Sequence, residues 1–191
     1  KQVIISTGTR NLQDQLYKKD LPAITSILES ITQRKLKFSL LKGRSNYICR
    51  HRFEQALNEA CYDEQTLSDL QQIRHYLEQT EFADTAEFTM LKEQSPVWSV
   101  VTSNSENCLG TICSYHDECY VLKVREQAID SDIVIVNHHL LMADFKLKRD
   151  ALGELLPSAQ VYIIDEAHQL PDIASRFFSQ CVTSKQIKDL L

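Results

Sequence analysis

Glycine is scarce in this chain, and its distribution excludes one kind of nucleotide site. Only four of the 191 residues are glycine, at positions 8, 43, 110 and 153. A Walker A loop requires the pattern G-x-x-x-x-G-K-S/T, because its main-chain amides must surround phosphate groups. No two of the four glycines have that spacing. These residues therefore do not include the usual phosphate-binding loop of an ATPase.

Long apolar runs are also absent. No run approaches the roughly 20 residues that cross a bilayer. No basic-then-apolar leader precedes the first predicted strand. We therefore predict a cytoplasmic protein with no membrane partner. Because the chain starts almost directly on a strand, we also expect it to continue upstream of Lys1 in a longer protein.

The charge is uneven along the chain. A net charge of −5 argues against a uniformly basic nucleic-acid-binding domain. The stretch KGRSNYICRHR, residues 42–52, departs from that average because it contains four cations and no acid: Lys42, Arg44, Arg50 and Arg52. This predicts a basic strip that could guide a polyanion.

Four apolar segments predict the strands of a parallel α/β sheet. They are Val3 to Ser6, Phe38 to Leu41, Ile133 to Asn137 and Val161 to Asp165. The last two are nearly continuous β-branched runs, which are typical of strands covered on both faces. Helices are predicted after Thr9, as an N-cap, and from Pro22 to Ile31, where four apolar residues form one stripe: Ile24, Ile27, Leu28 and Ile31.

The strand–helix alternation stops at about residue 47 and resumes at about residue 125. Apolar spacing predicts helices around Phe53 and Leu57, from Leu67 to Leu77, and from Val121 to Ile129. We therefore predict a helical insert, residues 47–125, within one α/β domain formed by residues 1–46 and 126–191.

Four of the six cysteines form the strongest candidate for a metal site. Cys108, Cys113 and Cys119 follow the pattern C-x4-C-x5-C in a polar segment, and Cys49 would join them through the fold. Four thiolates bind zinc or an iron–sulfur cluster. The wide gaps favour a cluster over paired zinc knuckles but leave zinc open. We predict that Cys61 is a small core residue, and we assign no ligand role to Cys181.

Two carboxylates end the last predicted strand. Asp165 and Glu166 belong to the segment VYIIDEAH, at the sheet edge where α/β proteins bind ligands. In nucleoside triphosphatases of this design, the Asp holds Mg²⁺ and the Glu polarises the attacking water. His168 would then sense the γ-phosphate. The alternative is that the two acids only cap the next helix.

The motifs together resemble those of DinG-type helicases, relatives of the XPD family in helicase superfamily 2. In chain order these are STGTRNLQDQL (6–16), KGRSNYIC (42–49), the cysteine triplet, VIVNHHLL (134–141) and IIDEAH (163–168). The resemblance implies a partial RecA-like motor domain with an iron–sulfur insert. It implies ATP hydrolysis with Mg²⁺ and 5′-to-3′ unwinding of DNA. It also implies a role with replication or repair proteins at the bacterial nucleoid.

The resemblance also implies roles for individual residues. Cys49, Cys108, Cys113 and Cys119 correspond to the ligands of a [4Fe–4S] cluster. Asp165, Glu166 and His168 correspond to the Mg²⁺-associated acid, the catalytic base and the coupling residue.

The predicted DNA contacts lie in two places. Thr9 and Arg10 follow the first strand, and Arg50 and Arg52 follow the first cysteine ligand. We expect them to contact single-stranded or forked DNA through its phosphates. The alternative is that the two later arginines pair with nearby acids, such as Glu54 and Glu59. Two other functions stay open at this point: a non-enzymatic zinc module that binds nucleic acid or a protein, and a redox sensor built on the same cluster.

Overall fold

The computed structural model describes residues 2–59 and 61–179. The chain divides into two compact units, Lys1–Leu40 with Ser131–Leu191, and Leu41–Asp130. The helices, in chain order, are α1 (Arg10–Gln15), α2 (Leu21–Thr32), α3 (Arg50–Asn58), α4 (Glu64–Leu77), α5 (Val97–Val101), α6 (Tyr120–Ile129), α7 (His138–Arg149) and α8 (Leu170–Phe178). Among the described residues, no helix is both long enough and apolar enough to cross a bilayer.

The first unit is built on a four-stranded sheet. Its strands are β1 (Val3–Thr7), β2 (Phe38–Leu40), β3 (Ile133–Asn137) and β4 (Val161–Ile164). All neighbouring strands are parallel, in the order β2-β3-β1-β4. The predicted α/β class is therefore confirmed. The two central strands, β1 and β3, carry the buried residues Ile4, Val134, Ile135 and Val136.

The prediction that β4 is covered on both faces is wrong for the described residues. Val161 is 48% exposed, and Tyr162 and Ile163 are also exposed. The strand lies at the edge of the sheet and pairs only with β1 in the part of the chain that the structure describes. An apolar sequence encodes a tendency to be buried, but burial also requires a neighbouring element.

A similar difference concerns α2. The predicted helix is present and continues from a short π-helical segment, Leu16–Asp20. Its apolar stripe, however, faces outward, with Ile27 and Ile31 among the most exposed apolar residues of the described chain. The buried side of α2 instead carries Leu21 and Thr25, whose hydroxyl donates to the Leu21 carbonyl at 2.7 Å.

The second unit consists of α3 to α6 and their connecting loops. Its core includes Phe53, Ile73 and Val101, from three of these helices, all nearly inaccessible to solvent. Phe88 adds two aromatic contacts, with ring centroids 4.5 Å from Tyr76 and 5.8 Å from Trp98. Edge and tilted ring pairs of this kind add to the stabilisation from apolar burial.

Two sequence expectations about the second unit are wrong. Cys61 is exposed and is not a core residue, because α3 ends at Asn58 before its apolar stripe reaches that position. Lys42 does not belong to a surface strip, because it is buried and its ammonium group lies 2.7 Å from the Asp84 carboxylate. Cys181 lies outside the described residues.

Candidate nucleotide site and cysteine cavity

The Asp165 carboxylate is held at the carboxyl end of the sheet. The main-chain N–H of Asp165 donates to the Ser6 carbonyl at 2.8 Å, which extends the β1–β4 ladder by one bond. The Thr7 hydroxyl donates to Asp165 Oδ2 at 3.1 Å. The last residues of β1 therefore fix both the backbone and the side chain of Asp165, in a position where α/β sheets bind ligands.

Glu166 occupies an unusual backbone conformation. Its φ is 51°, in the left-handed region, which costs a residue with a side chain roughly 1–3 kcal/mol. Its Oε2 lies 3.4 Å from Nδ1 of the exposed His168. Neither acid caps a helix through its side chain, because the 3₁₀ turn Ala167–Gln169 and α8 have no side-chain cap bonds. The capping alternative therefore does not explain this acid pair.

A buried histidine lies beside this turn. His138 begins α7 and is completely buried, and its Nδ1 lies 2.7 Å from the Ser6 hydroxyl. Burial lowers the pKa of His138, and the nearby main-chain oxygens of Asp165 and Glu166 only partly oppose this effect. The ring is therefore neutral at ordinary pH.

The four candidate ligand cysteines line one cavity in the second unit. The cavity has a volume of about 250 Å³, and its lining includes Cys49, Cys108, Cys113 and Cys119. Cys49 and Cys119 are the N-cap residues of α3 and α6. Amide groups at a helix N-terminus favour a thiolate over a thiol. The fold thus brings together thiols from two distant segments of the chain.

The surroundings of Cys49 oppose ionisation while no cation is present. Burial raises the pKa of the Cys49 thiol, and the neighbouring Cys113 and Cys108 raise it further. The Arg52 main-chain amide and the Ser103 hydroxyl act in the opposite direction but with less effect. A positive centre within the cavity would reverse this balance, since metal coordination deprotonates thiols.

The cavity wall also carries positive charge. Arg44 and Arg125 line it, together with His51 and His116. Within the described residues, no group of three or more His, Cys, Asp or Glu side chains is arranged to hold a metal ion. The cysteines surround a volume instead of converging on one point.

The candidate DNA-contacting residues have different surroundings. Thr9 caps α1 by accepting from the Leu12 main-chain N–H, and Arg10 is exposed. Arg50 lies 3.1 Å from Glu118 and 3.9 Å from Glu54. Arg52 donates to the Ser99 and Val100 carbonyls at 2.8 and 3.0 Å. Arg50 is thus held by acids and Arg52 by main-chain oxygens.

Comparison with known proteins decides the family. The DEAD_2 family model matches residues 10–187. The chain belongs to the DEAD_2 family. It is 47% identical, over its whole length, to the ATP-dependent DNA helicase YoaA of Haemophilus influenzae and to that of Escherichia coli. Over 97% of its length it is 32% identical to the ATP-dependent DNA helicase DinG of Photobacterium profundum.

The predicted resemblance to DinG-type helicases is confirmed by this membership. The chain spans 29% of the length of the two YoaA relatives and 27% of the length of the DinG relative. It therefore corresponds to a limited portion of each of these relatives.

The structure adds several residues to the candidate nucleotide site of this DEAD_2 chain that the sequence alone did not assign to it. Thr7 holds Asp165, and Ser6 joins His138 to the same edge. The Gln169 side chain packs directly over Gly8, where a Cβ atom would collide with it. The only sequence signal is that Ser6, Thr7 and His138 lie at or directly after the ends of predicted strands, and this position alone does not select them as site residues.

Proposed function

We propose that this chain is the part of an ATP-dependent 5′-to-3′ DNA helicase that binds a [4Fe–4S] cluster and single-stranded DNA. The observation that carries the proposal is the common cavity of the four cysteines, in a member of a family whose relatives are named DNA helicases. The higher identity to relatives named YoaA than to the relative named DinG favours the YoaA branch.

The donor set of the cavity fits an iron–sulfur cluster. Its four protein ligands would be Cys49, Cys108, Cys113 and Cys119, all of them free thiols. A cluster would supply the positive iron that stabilises four neighbouring thiolates. Bound by residues before α3 and α6 and by the segment 108–119, it would link parts of the second unit that are distant in sequence.

The acid pair supports ATP hydrolysis. Mg·ATP would supply the phosphoryl group, and the carboxylate of Asp165, oriented by Thr7, would interact with the positive charge of the Mg²⁺ ion. Glu166 would orient and deprotonate the attacking water, and His168 would link this edge to a neighbouring domain. Because the glycines exclude a Walker A loop here, the phosphate loop would come from another part of the longer protein.

We also propose that the phosphates of single-stranded or forked DNA contact Thr9 and Arg10 in the first unit and Arg50 and Arg52 in the second. Arg50 is 38% exposed, and its ion pairs with Glu54 and Glu118 are partly solvated. Exposed ion pairs contribute little free energy, so phosphates could replace these acids at small cost. We propose as well that the helicase acts together with replication or repair proteins at the nucleoid, in the bacterial cytoplasm.

Metal analysis tests the cluster directly. Protein purified without oxygen should contain iron and acid-labile sulfide in near-equal amounts, with broad visible absorbance. Cys49→Ser should release the iron, whereas Cys61→Ser should retain it, because Cys61 is exposed and does not line the cavity. Stoichiometric zinc without sulfide would instead support the non-enzymatic zinc module. Iron retained by Cys49→Ser would refute the ligand assignment.

A further inference from the structure

His138 is enclosed by the residues that form the proposed nucleotide site. It directly follows β3, while Ser6 lies near the end of β1, the strand beside it. The Ser6 hydroxyl contacts His138 Nδ1 at 2.7 Å. The opposite nitrogen, Nε2, is shielded from solvent and makes no complete hydrogen bond within the described residues. A buried polar atom of this kind is uncommon and calls for an explanation.

The groups around the His138 ring indicate which of its two nitrogens carries the proton. A neutral imidazole carries one N–H and one acceptor nitrogen. Main-chain oxygens of Asp165 and Glu166 lie beside the ring, and such oxygens can only accept. The Ser6 hydroxyl can donate to Nδ1. The compatible arrangement therefore has the proton on Nε2, with Nδ1 accepting from Ser6.

The neighbouring turn needs support. Asp165 is fixed by the bonds from Thr7 and to the Ser6 carbonyl. Glu166 follows at once with a left-handed backbone, and its carbonyl accepts from the Gln169 N–H at 3.0 Å. A donor placed at this point would restrict the turn, and the turn sets the direction of the Glu166 carboxylate.

We propose that His138 is a positioning residue, which holds the Asp165–Glu166 main chain through Nε2–H while Ser6 fixes its tautomer. This inference rests on the proposed ATPase function. His138 belongs to the segment VNHHLL, and the proposed function gives this histidine no role in ATP hydrolysis.

Two substitutions separate the functions of the two ring nitrogens. In the full-length protein that contains this chain, His138→Asn would keep a polar group near Ser6 but lose the reach of Nε2. His138→Gln would place an N–H donor close to the position of Nε2. We expect His138→Asn to lower kcat for DNA-stimulated ATP hydrolysis by roughly 10- to 100-fold, with KM for ATP within about twofold. His138→Gln should recover most of kcat.

His139→Gln is the matched control, because His139 is exposed and packs on Phe177.

A second measurement does not depend on activity. The ¹⁵N shifts of the histidine rings in the 191-residue chain should show His138 as the Nε2–H tautomer. Ser6→Ala should shift Nδ1 of His138 and leave His139 unchanged. The Nδ1–H tautomer would overturn the inference, since Nε2 would then direct a lone pair at main-chain oxygens.

The outcomes also separate the two proposals. Wild-type protein without DNA-stimulated hydrolysis would refute the proposed function and this inference together. Active wild-type protein with an equally active His138→Asn variant would refute the inference alone. If both variants lose kcat equally, or lose it only in proportion to a lowered melting temperature, the role of His138 is structural and the inference fails.

Discussion

At the scale of single residues, Glu166 combines a left-handed backbone with a carboxylate that lies 3.4 Å from the exposed His168 ring. Glu166→Gln in the full-length protein keeps the shape of the side chain and removes the base. We expect kcat for ATP hydrolysis to fall by about 10²–10⁴-fold, while nucleotide binding changes little. Equilibrium binding of a fluorescent ATP analogue measures the second quantity. Glu154→Gln, an exposed acid of the same unit, should leave both unchanged. Hydrolysis retained by Glu166→Gln would remove Glu166 from the role of base.

Arg50 and Arg52 both lie on α3, two positions apart, and their contacts predict results that differ in part. Arg50→Ala should lower the salt dependence of single-strand affinity by roughly one unit of slope, because one phosphate contact is lost for all sequences alike. Arg52→Ala should lower this slope as well, and it should also lower the melting temperature, because it leaves the Ser99 and Val100 carbonyls without their donors. Arg74→Ala on α4 is the control for a general loss of positive charge. An unchanged salt dependence for Arg50→Ala would show that Arg50 only forms ion pairs with Glu54 and Glu118 and does not contact DNA.

At the scale of elements, one buried carboxylate ties α7 to the loop that leads into β4. Asp144 is completely buried, and its Oδ1 accepts from the main-chain N–H groups of Leu155 and Leu156 at 2.7 and 2.9 Å. Lys148 lies 2.9 Å from its other oxygen. Asp144→Ala would leave two amides and an ammonium group without this partner. We expect a loss of about 3–5 kcal/mol in the free energy of unfolding, measured by urea denaturation.

The control for this loss is Asp150→Ala at the end of α7. Asp150 pairs with its neighbour Arg149 at 2.8 Å, and both are partly exposed. An exposed pair of this kind contributes little to the free energy of unfolding, because solvent screens it. Equal destabilisation by the two substitutions would show that Asp144 does not anchor the loop.

Local pattern was sufficient to predict most elements but not their surroundings. Apolar spacing predicted α2, α4 and α6, and short apolar segments predicted the four strands, because these signals lie within one segment. The exposure of Ile31 and Val161 could not be predicted in this way, since it depends on which other elements cover them. The ion pair of Lys42 with Asp84 joins residues from separate segments, and a net count of charges cannot reveal it.

The candidate site shows the same division. The acids of DEAH and the cysteine pattern were visible in sequence because each is a local signature. Thr7 and His138 were not visible as site residues, because only the register of β1 against β3 and β4 brings them to Asp165. Serine, threonine and histidine at strand ends are common, so the residue types alone do not select them.

At the scale of the whole molecule, the scarcity of glycine leads to a prediction about the isolated chain. The 191-residue protein should show no ATP hydrolysis above that of its Glu166→Gln variant, with or without single-stranded DNA. The physical reason is that no loop of main-chain amides is available to surround the phosphates. The full-length protein is the positive control under the same conditions. Glu166-dependent turnover by the isolated chain would mean that another segment binds phosphate.

Within the described residues β4 forms an open edge of the sheet, and this edge also affects how the polypeptide should behave in concentrated solution. An uncharged edge strand with free main-chain groups is a template on which a second molecule can add its own strand. A net charge of −5 opposes such contact by mutual repulsion, and that repulsion weakens near the isoelectric point of about 5.7 and at high salt. Light scattering should therefore rise under both conditions. Ile163→Lys should suppress this rise, whereas Leu152→Lys, at an exposed position outside the sheet, should not. The strand that supports Asp165 is thus also the expected starting point of aggregation.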